Sequence, residues 1–95
     1  MKVIWSKKAI GDYYSIIDYL IVKWSASSAE KFIDQVYSKI HFIKTHPEAF
    51  EKTNFEGSSR VVITKQVTLF FRVYKTKIYL LRFWNNSRNP EKLRL

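Results

Sequence analysis

Apolar residues recur at two different periods along this chain, and the change of period divides it into a helical half and a strand half. Val3-Ile4-Trp5 is a short β-branched and aromatic run that predicts a first strand, closed by Ser6. Ser6 can cap a helix from Lys7, because its hydroxyl accepts from an otherwise orphaned backbone N–H. Ile10, Tyr13, Ile17, Leu20 and Trp24 then follow at spacings of three and four, one apolar stripe on a helix of about five turns. Ser27-Ser28-Ala29-Glu30 has the spacing of a capping box and predicts a second helix. Its inward residues are Ala29, Phe32 or Ile33, Val36, Ile40 and Ile43, and it ends near His46, since Pro47 disfavours helical backbone in the residue before it. Two amphipathic helices joined by so short a link fold back into an antiparallel hairpin whose apolar face needs a cover.

Residues 47–59 read as a loop. Beyond them the period falls to two, with strands predicted over Arg60–Thr64, Val67–Tyr74 and Lys77–Trp84. Val67, Leu69, Phe71 and Val73 share one face of the middle strand, and Thr68, Phe70, Arg72 and Tyr74 the other. In the last strand Ile78, Leu80, Arg82 and Trp84 alternate with Tyr79, Leu81 and Phe83. The predicted order is β-α-α-β-β-β: an α+β fold, one domain over residues 1–95, with the helix hairpin packed on one face of a mainly antiparallel sheet.

Charge sharpens the division. All five arginines lie after residue 59, and the stretch from Arg60 to Leu95 holds nine Lys or Arg against the single acid Glu91, a balance of +8. Residues 1–59 hold eight Lys and seven acids, a balance of +1. A cationic half of this kind suits a polyanion or an acidic protein segment, with arginine offering a fixed fork of donors for phosphate or carboxylate. There is no cysteine, which excludes disulfides and thiolate metal sites. No long apolar run marks a signal peptide or membrane span, so a cytoplasmic protein without membrane contact is expected. His41 and His46 stand five apart without a carboxylate at ligand spacing, so no metal is expected. With Gly11 and Gly57 the only glycines, a phosphate-cradling loop has no basis, and no cofactor is expected.

Two clusters carry candidate chemistry. Arg72 and Arg82 alternate with Phe70, Leu80 and Trp84 on the predicted second face of the sheet, a mixture of guanidinium and rings found at interface centres and on single-strand nucleic-acid platforms. The favoured reading is a binding face; the competing one is a second small core closed by the C-terminal segment, with the arginines reaching outward. Asn85-Asn86-Ser87-Arg88-Asn89-Pro90 ends the last strand in a polar turn, which is either an anion site of backbone amides plus guanidinium or an ordinary connector.

The chain resembles the RelE/ParE family of toxins from type II toxin–antitoxin modules. The likeness runs through Val3-Ile4-Trp5-Ser6, Ala9 and Asp12, Ile17–Leu20, Ala29 with Phe32 and Ile33, Ile40–Ile43 and His46-Pro47. It continues through Arg60-Val61-Val62, Phe70-Phe71-Arg72-Val73-Tyr74, Ile78–Leu81 and Ser87-Arg88-Asn89-Pro90. The resemblance implies a toxin held inactive by a cognate antitoxin whose C-terminal segment wraps it. RelE-like members cut messenger RNA on the ribosome; ParE-like members poison DNA gyrase by binding. On the nuclease alternative, Arg60, Lys65, Arg72 and Arg88 are the candidate catalytic residues. However, Thr68 stands where nuclease members carry a basic residue, and no Tyr or His follows Arg88. The gyrase branch is therefore favoured, and a non-toxic basic nucleic-acid-binding module is the remaining alternative. Contacts to target or antitoxin are expected from Arg60, Lys65, Phe70, Arg72, Leu80, Arg82, Trp84 and Arg88.

Overall fold

The computed structural model describes residues 1–95. Its elements are β1 (Lys2–Trp5), α1 (Lys7–Lys23), α2 (Ala26–Thr45), β2 (Glu51–Lys52), β3 (Ser59–Thr64), β4 (Val67–Tyr74), β5 (Lys77–Asn85) and a 3-10 turn over Pro90–Lys92. The strands form one sheet of order β1-β5-β4-β3-β2, antiparallel throughout except for β1, which runs parallel to β5. This is the predicted α+β arrangement with one addition. Glu51 and Lys52, expected in a loop, pair with Arg60 and Ser59 and add an edge strand.

Local chemistry sets the helix ends. Ser6 caps α1, its hydroxyl accepting from the Ala9 N–H at 3.0 Å. The second cap is Ser25, which accepts from the Ser28 N–H at 3.0 Å, so α2 starts earlier than the Ser27 capping box predicts. Trp24 and Ser25 both donate to the Leu20 carbonyl, which closes α1 in two residues and leaves Ser25 extended and free to cap. α2 ends at Thr45, ahead of Pro47 as expected.

The main core lies between the helices and the sheet. Ala9, Tyr13, Phe32, Val36, Ile40 and Ile43 meet Val61, Ile63, Val67, Leu69, Phe71, Ile78, Leu80 and Phe83. The expected α1 stripe is rotated: Ile10 and Trp24 are exposed, and Ala9, Tyr13, Ile16, Ile17 and Leu20 face inward. A helix that must contact both a sheet and a neighbouring helix buries a wider arc than a three-four spacing picks out.

β5 departs from simple alternation. Phe70 pairs with Arg82 but Phe71 pairs with Leu80, so Leu81 is an extra, bulged residue. The bulge keeps Ile78, Leu80 and Phe83 in the main core and turns Leu81 and Trp84 to the opposite face. Leu80 therefore does not belong to the basic face on which strict alternation placed it.

On that opposite face Phe70, Trp84 and Leu93 form a second small core, flanked by Phe55, Leu81 and Leu95. The C-terminal segment reaches it through the 3-10 turn, whose cap Asn89 accepts from the Glu91 N–H at 3.0 Å. The loop before β3 supplies Phe55, whose ring meets Phe70 edge-on at 5.8 Å. Glu56 and Gly57, both at positive φ, turn this loop back towards the sheet. No helix is long and apolar enough to cross a membrane.

Candidate functional site

The eight sequence-predicted contact residues do not form one surface. Phe70 and Trp84 are each only 4% exposed and Leu80 not at all, so the expected open face of rings and guanidinium is closed within the chain. The physical reason is burial: leaving two large rings wet costs more than folding the C-terminal segment over them, with Leu93 as the plug.

Three of the arginines are held by the protein itself. Arg82 forms a two-pronged ion pair with Asp12 of α1, Nε donating to Oδ2 at 2.7 Å and Nη2 to Oδ1 at 3.0 Å. Its Nη1 donates to the Arg94 carbonyl at 2.8 Å, and its guanidinium lies 5.5 Å from the Trp84 ring. The bond to Asp12 raises the Arg82 pKa above its ordinary value, burial opposes the rise, and the charge of Asp12 reinforces it. Arg72 donates to the Glu56 carbonyl and so ties the loop to β4. Arg60 makes a forked contact with Glu51 across the β2–β3 pair, at 2.9 and 3.3 Å. These two carboxylates, Glu51 and Asp12, account for every ion pair in the fold.

Lys65 and Arg88 differ, because neither side chain has a carboxylate partner and both are exposed. The Arg88 guanidinium lies 4.7 Å from the Trp84 ring, so it is oriented without being neutralised. The turn that carries it is built by short bonds. Asn85 Oδ1 accepts from the Ser87 N–H and hydroxyl at 2.9 and 2.7 Å, and the Arg88 N–H donates to the Asn85 carbonyl at 3.0 Å. Asn86 bridges this turn to the β3–β4 connection. Its N–H donates to the Gln66 carbonyl, its Nδ2 to the Lys65 carbonyl, and its Oδ1 accepts from the Thr68 hydroxyl at 2.8 Å.

Lys65 and Arg88 thereby border one groove of about 970 Å³. One wall is the flank of α1 with Asp12, Ile16, Tyr19, Leu20 and Trp24; Phe32 and Gln35 of α2 extend it. The other wall is Phe83, Val67 and the turn from Asn85 to Arg88. The groove exists because β1 ends at Trp5, opposite Leu80, and leaves the rest of β5 without a neighbour on that edge. Asp12 partly fills the missing place by accepting from the Phe83 N–H at 3.0 Å. Apolar walls with amides and two free cations at one end fit an amphipathic, acidic segment. Sequence reading singled out Lys65 and Arg88 but missed the α1 wall. Tyr19 was a signal of it, as a large ring off the inward stripe, whereas Trp24, which the spacing puts in that stripe, is instead exposed at the groove.

A second, smaller depression of about 340 Å³ lies beside Leu81 in the middle of β5, where Lys7, Lys8 and Arg72 surround Ser6, Glu56, Leu81 and Leu95. Arg72 thus sits apart from Lys65 and Arg88. No group of three or more potential metal ligands occurs in the structure.

Comparison with known proteins bears directly on these features. A search of curated sequences finds no match. Among solved structures, the fold is similar to a chain of the chromosomal ParDE toxin–antitoxin system from P. aeruginosa. That match has TM-score 0.75 and 20% identity over 90% of this chain and 95% of that one. A YoeB/ParE toxin from Agrobacterium tumefaciens follows at TM-score 0.67 and 15% identity, over 92% and 100%. A copper-bound mutant toxin from Helicobacter pylori gives 0.62 and 18%, over 92% and 96%. At these identities the likeness is one of fold. The family model described as the ParE toxin of the type II toxin–antitoxin system parDE matches residues 3–90, nearly the whole chain. A family of that kind carries a cognate antitoxin as partner. This chain belongs to the ParE toxin family of type II toxin–antitoxin systems.

Proposed function

We propose that this chain acts in the cytoplasm as a ParE-like toxin that poisons DNA gyrase by binding it, and that an acidic antitoxin segment neutralises it by lying in the α1–β5 groove. The observation that carries this reading is the distribution of the arginines. Cleavage of RNA needs a base at the ribose 2′-hydroxyl and several free cations around one phosphate. Here Arg60, Arg72 and Arg82 each serve an internal acceptor. Of the four candidate catalytic cations only Lys65 and Arg88 share a groove, while Arg72 lies in the separate depression with Lys7 and Lys8. The carboxylate in that groove, Asp12, is engaged by Arg82 and by the Phe83 N–H. A pair of free cations beside apolar walls supports binding and not general acid–base work.

Supercoiled plasmid incubated with gyrase and purified toxin tests the target. Linear product that requires both proteins is expected, and Arg88→Ala should reduce it. Codon-positioned cuts in messenger RNA on translating ribosomes, with no effect on gyrase, would instead assign the nuclease activity. For the antitoxin, Lys65→Glu with Arg88→Glu should weaken binding at least tenfold and flatten its dependence on salt. Unchanged affinity would place the antitoxin elsewhere.

A further inference from the structure

The C-terminal segment covers one end of the outer sheet face, and lysines in register hold the other. Val3 and Trp5 of β1, Val73 of β4 and Ile78 of β5 pack into the main core. Their neighbours Lys2, Ile4, Arg72, Tyr74, Lys77 and Tyr79 therefore project from the opposite face. Lys2 pairs directly with Lys77, and Lys77 in turn with Tyr74. Lys75 follows in the β4–β5 turn, its Nζ 5.4 Å from the Tyr74 ring. Farther along the same strands Ile4 pairs with Tyr79, and Tyr79 with Arg72, which opens onto the depression bordered by Lys7 and Lys8. Lys2, Lys7, Lys8, Lys75 and Lys77 are exposed, and none has a carboxylate partner. Lys8 Nζ donates to the Leu95 carbonyl at 3.3 Å, and Glu56 is the one acid lining the depression.

Folding alone disfavours this arrangement. Like charges directly opposite on neighbouring strands destabilise a sheet. Lysines guard exposed strand edges against unwanted pairing, which accounts for Lys2 on β1. Lys77 has no such role, because β5 lies between β1 and β4. A bound polyanion removes the repulsion and gives the lysines partners.

We propose that this face binds the backbone of duplex DNA, so that the chain touches DNA directly and not only through its protein partners. The stripe runs alongside β1 from Lys2 to Lys7, roughly 15 Å, the rise of about four to five base pairs. A duplex fits better than a single strand because the rings are not free to stack bases. Lys75 lies over Tyr74, and Tyr79 is half-buried. The one guanidinium present, Arg72, is engaged by the Glu56 carbonyl, which leaves lysines as point charges for phosphate. The choice of DNA over an RNA duplex rests on the gyrase reading, since gyrase holds duplex DNA; the binding itself does not. The α1–β5 groove lies towards the opposite end of β5, so DNA and antitoxin occupy different places.

Fluorescence anisotropy of a labelled duplex of about 20 base pairs, titrated with the full chain and no gyrase, tests the proposal. Saturable binding is expected at about 50 mM salt, with log affinity falling against log salt at a slope of about −4. Lys2→Ala with Lys77→Ala should weaken binding at least tenfold and reduce the slope by about 2. Lys31→Ala with Lys44→Ala removes the same charge from α2 and should keep affinity within about threefold. Lys77→Glu sets a carboxylate opposite Lys2, so it should be at least as stable to urea as the parent chain while binding at least tenfold more weakly. Absence of binding at about 50 mM salt, an equal loss from the two α2 substitutions, or tighter binding to a single strand or an RNA duplex of the same sequence would each overturn the proposal. Because gyrase is absent from the titration, failure of the DNA contact and failure of the gyrase reading are told apart.

Discussion

Replacing Asp12 by Ala should be the most damaging single polar substitution in this fold. The carboxylate accepts three hydrogen bonds, from Arg82 Nε, Arg82 Nη2 and the Phe83 N–H, at 2.7, 3.0 and 3.0 Å. The pair is mostly buried, with side-chain exposures of 14% for Arg82 and 17% for Asp12. Breaking a buried pair by removing one partner costs about 3–5 kcal/mol, because the other charge is left stranded. Residual solvent access and the surviving contacts of Arg82, to the Arg94 carbonyl and the Trp84 ring, reduce this to about 2 kcal/mol. The stranded Phe83 N–H adds about 1 kcal/mol. A total near 3 kcal/mol is a large share of the stability of a chain this size, and corresponds to a urea midpoint lowered by about 2–3 M at unchanged slope. Asp12→Asn keeps an acceptor for Phe83 and should lose about half as much. Arg82→Met combined with Asp12→Ala should cost clearly less than the two singles added, with about 2 kcal/mol of coupling. A loss below about 0.5 kcal/mol for Asp12→Ala, or strict additivity of the singles, would refute the role given to this pair.

Three further outcomes follow from the same structure. Leu93→Ala should lower stability by about 2–3 kcal/mol by urea unfolding, since it removes the plug over Phe70 and Trp84. Lys75 occupies positive φ in the β4–β5 turn, so Lys75→Gly should stabilise the fold by about 0.5–1 kcal/mol, measured the same way. Burial, with Tyr37 and Tyr14 nearby, raises the Tyr13 phenol above its ordinary value. The stability this contributes is fully present below the unfolded value near 10 and is lost as pH rises from there through the folded value. Tyr13→Phe should therefore flatten that part of the alkaline unfolding profile.

Much of the fold was legible because it rests on short-range rules. The Ser6 cap, the Pro47 stop and the period change near residue 60 each act within a turn or a strand, and each appears where the pattern predicts. One error was local: Ser25 displaced Ser27 as cap because the Leu20 carbonyl closed α1 within five residues. The other arose where a partner strand decided. Leu80 changed faces because one bulge opposite Phe70 and Phe71 reset the alternation of β5, and no residue type announces a bulge. The candidate site was legible only in part: Lys65 and Arg88 were named, but the α1 wall that completes their groove was not.

Sequence alone determined the two helices and the four longer strands, the neutral and cationic halves and the family likeness, all of which depend on residue identity and spacing along the chain. Tertiary structure decided which cations stay free. Arg82 finds Asp12 seventy residues away, Arg60 finds Glu51 across a strand pair, and Arg72 finds a loop carbonyl, whereas Lys65 and Arg88 find no acid. Whether a charge is spent inside the fold or offered outside depends on what lies within about 4 Å of it in space, a distance that order along the chain does not encode.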